Sequence, residues 1–224
     1  MTTTIVHDAV DTALGIEPGS YLDKLRNRRP TTRENAQASH EALFNPEDDS
    51  EVTRTERHAL AAFIARLHGD TALASLHREG LLASDSGPAT GTALADAIDQ
   101  AATAGATSGP YGHYREEGPL QGENTPGLRY VVPTPLAAEL GPRLTAALEH
   151  AHLLVFRPRE ASPEALATLH RAGWSTDAIV TLSQLVAFLA FQLRVAAGLR
   201  VLSDVQGQTS THDKATTTTG ENHS

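Results

Sequence analysis

The sequence predicts an all-α protein, and three observations lead there. Apolar residues make up 40% of the 224-residue chain but aromatic ones only 4%, so the core must come mostly from Ala, Leu and Val, of which Ala and Leu are strong helix formers. Apolar positions recur at helical spacing, as at Leu60, Phe63, Ile64 and Leu67. Capping residues and Gly or Pro breakers bound these segments, and no alternation of strand and helix patterns is visible.

The elements follow in order. Residues 1–16 read as weakly ordered. Thr31 and Glu34 have capping-box spacing and open a helix at about 32–44, which Asn45-Pro46 stops. Glu47, Asp48, Asp49 and Glu51 form a solvated acidic loop. Thr53 to Glu56 is a second capping box, starting a helix at 54–68 that Gly69 breaks. Asp70 caps a helix at 70–79, with Gly80 expected at its C′ position. An Ala-rich helix spans 91–104, and the Gly/Pro-dense stretch 105–135, with Tyr111, Tyr114 and Tyr130, reads as an arm or lid on another surface. A helix at 136–155 must be kinked or divided by Gly141-Pro142, because Pro lacks a donor and clashes one turn back. Ser162-Pro163 opens a helix at 163–172, and Ser175 caps a long one at 176–202. Residues 204–224 carry almost no large apolar side chain and read as a disordered tail.

Composition excludes several function classes. The formal charge is -9, so a nucleic acid would meet a repelling field. The absence of cysteine removes disulfides, thiolate metal sites and thiol nucleophiles. The N-terminus lacks a basic region followed by an apolar run, which makes the cytoplasm the expected location. The stretch Ala178 to Leu193 is uncharged but shorter than the ~20 residues of a membrane span. It is expected to be buried centrally, or shared between a core and a subunit interface.

The densest group of titratable side chains is His58, His68, Asp70 and His77. With 11 histidines in the chain, the plain reading is that these are exposed or locally bonded. Asp70 and His77 share a helix face with Leu73, roughly 10 Å apart by helical rise, so they can flank a small pocket but not bond directly. Asp70 is accounted for as an N-cap and Glu56 as the acid of its capping box. His150 and His152, two apart, point to different faces and do not suggest a joint metal site. No nucleophile elbow, phosphate loop or dinucleotide fingerprint is present. No metal and no cofactor are expected.

Two stretches resemble the alkylhydroperoxidase D and carboxymuconolactone decarboxylase (CMD) superfamily. Arg57 to His77, RHALAAFIARLHGDTALASLH, is similar to that family's Arg-Glu-Leu helix followed by Gly-Cys-x-x-Cys-x-x-x-His. The stretch His152 to Leu202 resembles its terminal half: an Arg-x-x-Gly turn, an Asp-x-Ile helix start and a long apolar helix ending in Arg and Gly-Leu. The chain further resembles a cysteine-less "CMD domain protein" subgroup over residues 17–203, with 17–50 as an N-terminal extension. The resemblance implies a helical bundle with a central helical hairpin, and a homo-oligomer with long apolar helices between subunits. Carried over, Gly69 and His77 keep the family's residues, while Asp70 and Leu73 stand where its two cysteines stand. The acid of the family's proton relay falls on His58, with Glu56 two residues earlier.

An Asp carboxylate and a Leu side chain form neither sulfenic acid nor a disulfide, so the resemblance does not extend to peroxide reduction. Two readings remain. In the first, the chain is a scaffold or partner subunit of an oligomeric assembly, with itself or with a Cys-containing CMD-like relative. In the second, His77 is an acid or base, helped by Asp70, His58 or Glu56, in decarboxylation, isomerisation or hydrolysis of a small organic acid.

Overall fold

In the computed structural model, which describes residues 8–84 and 88–217, the architecture is helical: α1 (Ala9–Leu14), α2 (Tyr21–Arg26), α3 (Pro30–Phe44), α4 (Arg54–Leu67), α5 (Thr71–Leu82), α6 (Pro88–Ala104), α7 (Thr134–Phe156), α8 (Pro163–Arg171) and α9 (Thr176–Thr217). Single 3-10 turns lie at Pro119–Glu123 and Pro158–Glu160. Among the described residues the only β feature is a bridge between Gly112 and Thr125.

The hub is α4. Its seven consecutive residues Ala59 to Ala65 are all buried, and α5, α6, α7, α9 and α3 pack around it. A helix apolar on every face has no solvent side and must lie centrally. The sequence left two places open for α9, the centre or a position shared between the core and an outer surface. The structure shows the second, a two-faced α9: Leu182, Leu185, Leu189, Leu193 and Ala196 enter the core, while Val180, Phe191 and Val201 are exposed.

Most boundary signals act as their chemistry dictates. Thr53 and Glu56 form a reciprocal capping box. Ser162 accepts from the Ala165 N–H, and Ser175 from the Ala178 N–H. Gly141 adopts φ 75° and ψ 164° and divides α7 ahead of Pro142, a conformation that costs Gly nothing and other residues a great deal.

Five expectations are corrected. Residues 9–14 form a helix, because Asp8 accepts from the N–H groups of Val10 and Asp11 and the segment is tied down by Arg26 and Arg33; residues 1–7 lie outside the described residues. The box at Thr31 and Glu34 is not made, since Pro30 takes the first helical position and starts α3 two residues earlier, with no side-chain cap. Gly80 lies inside α5, which runs on to Leu82. Helix α6 begins at Pro88 rather than Gly91. Finally, α9 continues past Leu202 to Thr217; no Pro follows Thr176, and extending an anchored helix needs no new nucleus. Residues 218–224 of the expected tail lie outside the described residues.

The segment 105–135 lies on its own subunit, not as a free arm. The Tyr111 ring stacks on Phe156 at 6.1 Å and the Tyr111 hydroxyl donates to the Leu128 carbonyl. Tyr130 stacks on His152 at 4.7 Å and donates to the Ala101 carbonyl at 2.7 Å. Burial, with the nearby Glu149 charge, pushes the Tyr130 hydroxyl up to about 12, so it remains a donor.

Candidate functional site

The hairpin of α4 and α5 carries all four expected site residues. Gly69, at φ 72°, makes the turn between the two helices. Asp70 then caps α5, accepting from the Leu73 N–H at 3.0 Å. Its two carboxylate oxygens also take Nη1 and Nη2 of Arg200, from α9, at 2.7 and 2.8 Å. Burial pushes the Asp70 carboxyl up, but the Arg200 and Leu73 hydrogen bonds outweigh it and hold the group below the usual carboxylate range. The cap was legible in the sequence. Its guanidinium partner, 130 residues away, was not.

His77, two turns later, is fully buried. Around it lie three further rings: Phe44 at 4.6 Å, His58 at 5.7 Å and His40 at 6.0 Å. Phe44 also touches His40 at 4.6 Å and His58 at 5.1 Å, and Phe188 of α9 lies 6.3 Å from His40. Phe44 thus sits against all three imidazoles, gathered from α3, α4 and α5. The packing is close enough to dictate Gly80: a Cβ there would fall on the His58 ring, 2.7 Å from Nε2 and closer to two other ring atoms. That contact is why a glycine stands inside α5.

Both ring nitrogens of His77, and Nδ1 of His40 and of His58, are buried without a hydrogen-bond partner among the described residues. An imidazolium is costly to bury without acceptors for its N–H groups, so burial favours the neutral form of these rings. His58 is pushed down to about 4 by burial, with the His40 and Arg54 charges adding to it. His77 is held well below its usual value by burial and by its two histidine neighbours. His40 is lowered by burial against the pull of Glu41 and Asp8.

The structure therefore brings together His77 and His58 and sends Asp70 and Glu56 elsewhere. Glu56 completes the capping box on the Thr53 N–H and takes Nε of Arg143 at 2.6 Å. Arg143 itself donates to the carbonyls of Gly173 and Glu51 and lies 4.3 Å over the Trp174 ring. Among the described residues no carboxylate bonds His77, and Asp70 and Glu56 are engaged with Arg200 and Arg143 instead. His40 was missed from the sequence; the one available signal was its position one turn before Phe44 on an otherwise polar helix.

Compared with known proteins, the sequence matches no family model and no curated protein. Its chemistry is read from the side chains alone. Among the described residues no group of three His, Asp or Glu side chains is placed to hold a metal ion. The three imidazoles pack against one another, and among the described residues no carboxylate bonds His77 to complete an acid–base pair. His152 is likewise occupied, donating from Nε2 to the Gly105 carbonyl at 2.9 Å.

Proposed function

We propose that this chain is a thiol-free, CMD-like cytoplasmic scaffold subunit that assembles with a second copy of itself through the outer face of α9. The observation that carries this reading is the spacing of that face. Val180, Gln184, Ala187, Phe191, Arg194, Gly198 and Val201 are exposed, at alternating intervals of four and three residues, the seam of a left-handed helix pair. Within it Val180 is 50%, Phe191 45% and Val201 60% exposed.

The seam is self-complementary when two copies run antiparallel about a two-fold axis. One register sets Ala187 against Gly198, where small residues let backbones approach, and Phe191 against Arg194, a cation on an aromatic face. Gln184 then meets Val201. Helix α9 also holds the one described stretch, Thr176–Gln206, that is long and apolar enough to cross a membrane by length and composition. Arg194 argues against a lipid neighbour, because a guanidinium in the middle of the exposed stripe is costly in hydrocarbon. The assembly reading is preferred to the acid/base one because no carboxylate bonds His77 among the described residues.

Native mass spectrometry and light scattering on the full chain test the proposal. The expected result is a homo-oligomer that Phe191→Glu converts to monomer with unchanged helical circular dichroism. A monomeric wild-type protein at micromolar concentration would overturn it, as would a stoichiometric complex with a Cys-containing relative in place of the second copy, or recovery in the membrane fraction.

A further inference from the structure

Between α2, the start of α3 and the C-terminal half of α9 lies an open cleft of about 660 Å³, inside the range of small-molecule sites. Its rim is cationic, with Arg26, Arg28, Arg29 and Arg33, on a chain whose formal charge is -9. The four are not equivalent. Arg26 is committed to Asp8 and Asp11, and Arg33 to Asp11 and Asp23. Arg28 and Arg29 are exposed and have no carboxylate partner among the described residues. The paired arginines build a wall, and the unpaired ones leave two guanidinium groups directed at whatever enters.

The rest of the lining is apolar, with Leu25 and Ala36 beside the arginines and Val195 and Leu199 contributed by α9. Thr32, in the first turn of α3, adds a hydroxyl, and that turn carries neither a side-chain cap nor an acidic residue, so its field adds to the guanidinium charges. A bare inorganic anion would use the rim and leave the apolar side wet. A neutral apolar molecule would leave the arginines unanswered. The geometry points to a small amphipathic organic anion as the ligand, its carboxylate or phosphate head on Arg28 and Arg29 and its apolar body on Val195 and Leu199. Guanidinium groups serve both heads, since each presents oxygens that a planar fork can bond in pairs.

Isothermal titration of the full-length protein with octanoate and with octyl phosphate tests this and tells the two heads apart. One of them is expected to bind at one per chain, at least tenfold more tightly than inorganic phosphate and than octanol. The double substitution Arg28→Gln/Arg29→Gln, at two exposed side chains that brace nothing, should weaken binding at least tenfold with the thermal midpoint unchanged. Val195→Ser should weaken octyl phosphate and leave inorganic phosphate as it was. Equal affinity for octyl phosphate and inorganic phosphate would overturn the inference, as would unaltered binding by the double variant. Stoichiometry well above one, or binding only to anionic vesicles or to an oligonucleotide, would overturn it too. The inference is independent of the assembly reading: the Phe191→Glu chain should still bind, so failure of one does not decide the other.

Discussion

Two polar clusters lie two turns apart along α3, one at Arg33 and one at His40, and they satisfy their chemistry in opposite ways. In the first, Asp8, Asp11 and Asp23 meet Arg26 and Arg33, with Arg26 only 8% exposed and bonding both Asp8 oxygens at 2.9 and 3.0 Å. In the other, a fully buried His77 and the half-buried His40 and His58 share a cage in which four ring nitrogens find no hydrogen-bond partner among the described residues. Charge survives where every ion has a counter-ion. Where none is available, the group that can give up its charge does so. The first cluster is rigid because it is ionic, and the second is tolerated because imidazole can be neutral.

The largest expected effect comes from breaking the ionic side. Arg26→Ala leaves Asp8 and Asp11 facing each other with one guanidinium fewer, and removing one member of a buried pair costs about 3 kcal/mol or more. The urea midpoint should fall accordingly. Because α1 is held to the body by this network, amide exchange should show Ala9 to Leu14 losing protection first. A variant as stable as the wild type would mean that α1 is held by Val10 and Ala9 alone.

Acid separates the two clusters on the pH axis. Unfolded imidazoles titrate near 6.5, while His58 is held near 4 and His77 well below its usual value. Between those values the unfolded chain binds more protons, so stability is full above about pH 6.5 and falls as pH drops toward 4. For His58 alone the loss is on the order of 3 kcal/mol across that window. The charged groups around the cage are Glu41, Asp8 and Arg54. The carboxylates respond later: Asp8 and Asp70 are held below 3.8, so their contribution is intact at pH 5 and is lost only below that value. Urea midpoints at pH 7, 6 and 5 check this. A flat profile over that range would show that water reaches the cage.

The contrast also explains what the sequence made legible. Caps and breakers are local, so Thr53, Gly69, Asp70, Gly141 and Ser175 each act where their neighbours predicted. The partners of polar side chains are not local. Arg200 for Asp70, Arg143 for Glu56 and His40 for His77 come from other helices, and each removes or alters a role that spacing along one helix had suggested. Which residues of α9 form which face was hidden for a related reason. Val, Ala and Phe look the same in a sequence whether they face a core or a neighbouring molecule, and only the burial of Leu182, Leu185 and Leu189 tells the faces apart.

Gly80 marks the cage from the backbone side. A mid-helix Gly→Ala change ordinarily stabilises by roughly 0.5–1 kcal/mol. At Gly80 the new methyl would fall on the His58 ring, and overpacking of this kind costs about 1–3 kcal/mol. The expected outcome is a reversed sign: Gly80→Ala lowers the thermal midpoint, and His58→Ala in the same chain restores part of it. If Gly80→Ala stabilises on its own, the ring is free to move aside and the cage is looser than its spacing indicates.

The smallest expected effect is a gain. His77 buries two ring nitrogens that find no hydrogen-bond partner among the described residues, and a buried polar atom without a partner costs about 1 kcal/mol or more relative to an apolar group of the same shape. Leucine is close to histidine in volume and has no polar atom, and His77 is enclosed by Phe44, His40 and His58. His77→Leu should therefore raise stability by about 1 kcal/mol at pH 7 and by more at pH 5, where the wild-type chain is already paying for neutrality. In the ionic cluster no such substitution improves the protein, since every group there is answered. A destabilised His77→Leu chain would show that the imidazole has a polar partner in solution, a water molecule or a ligand, and would restore His77 as a chemical residue.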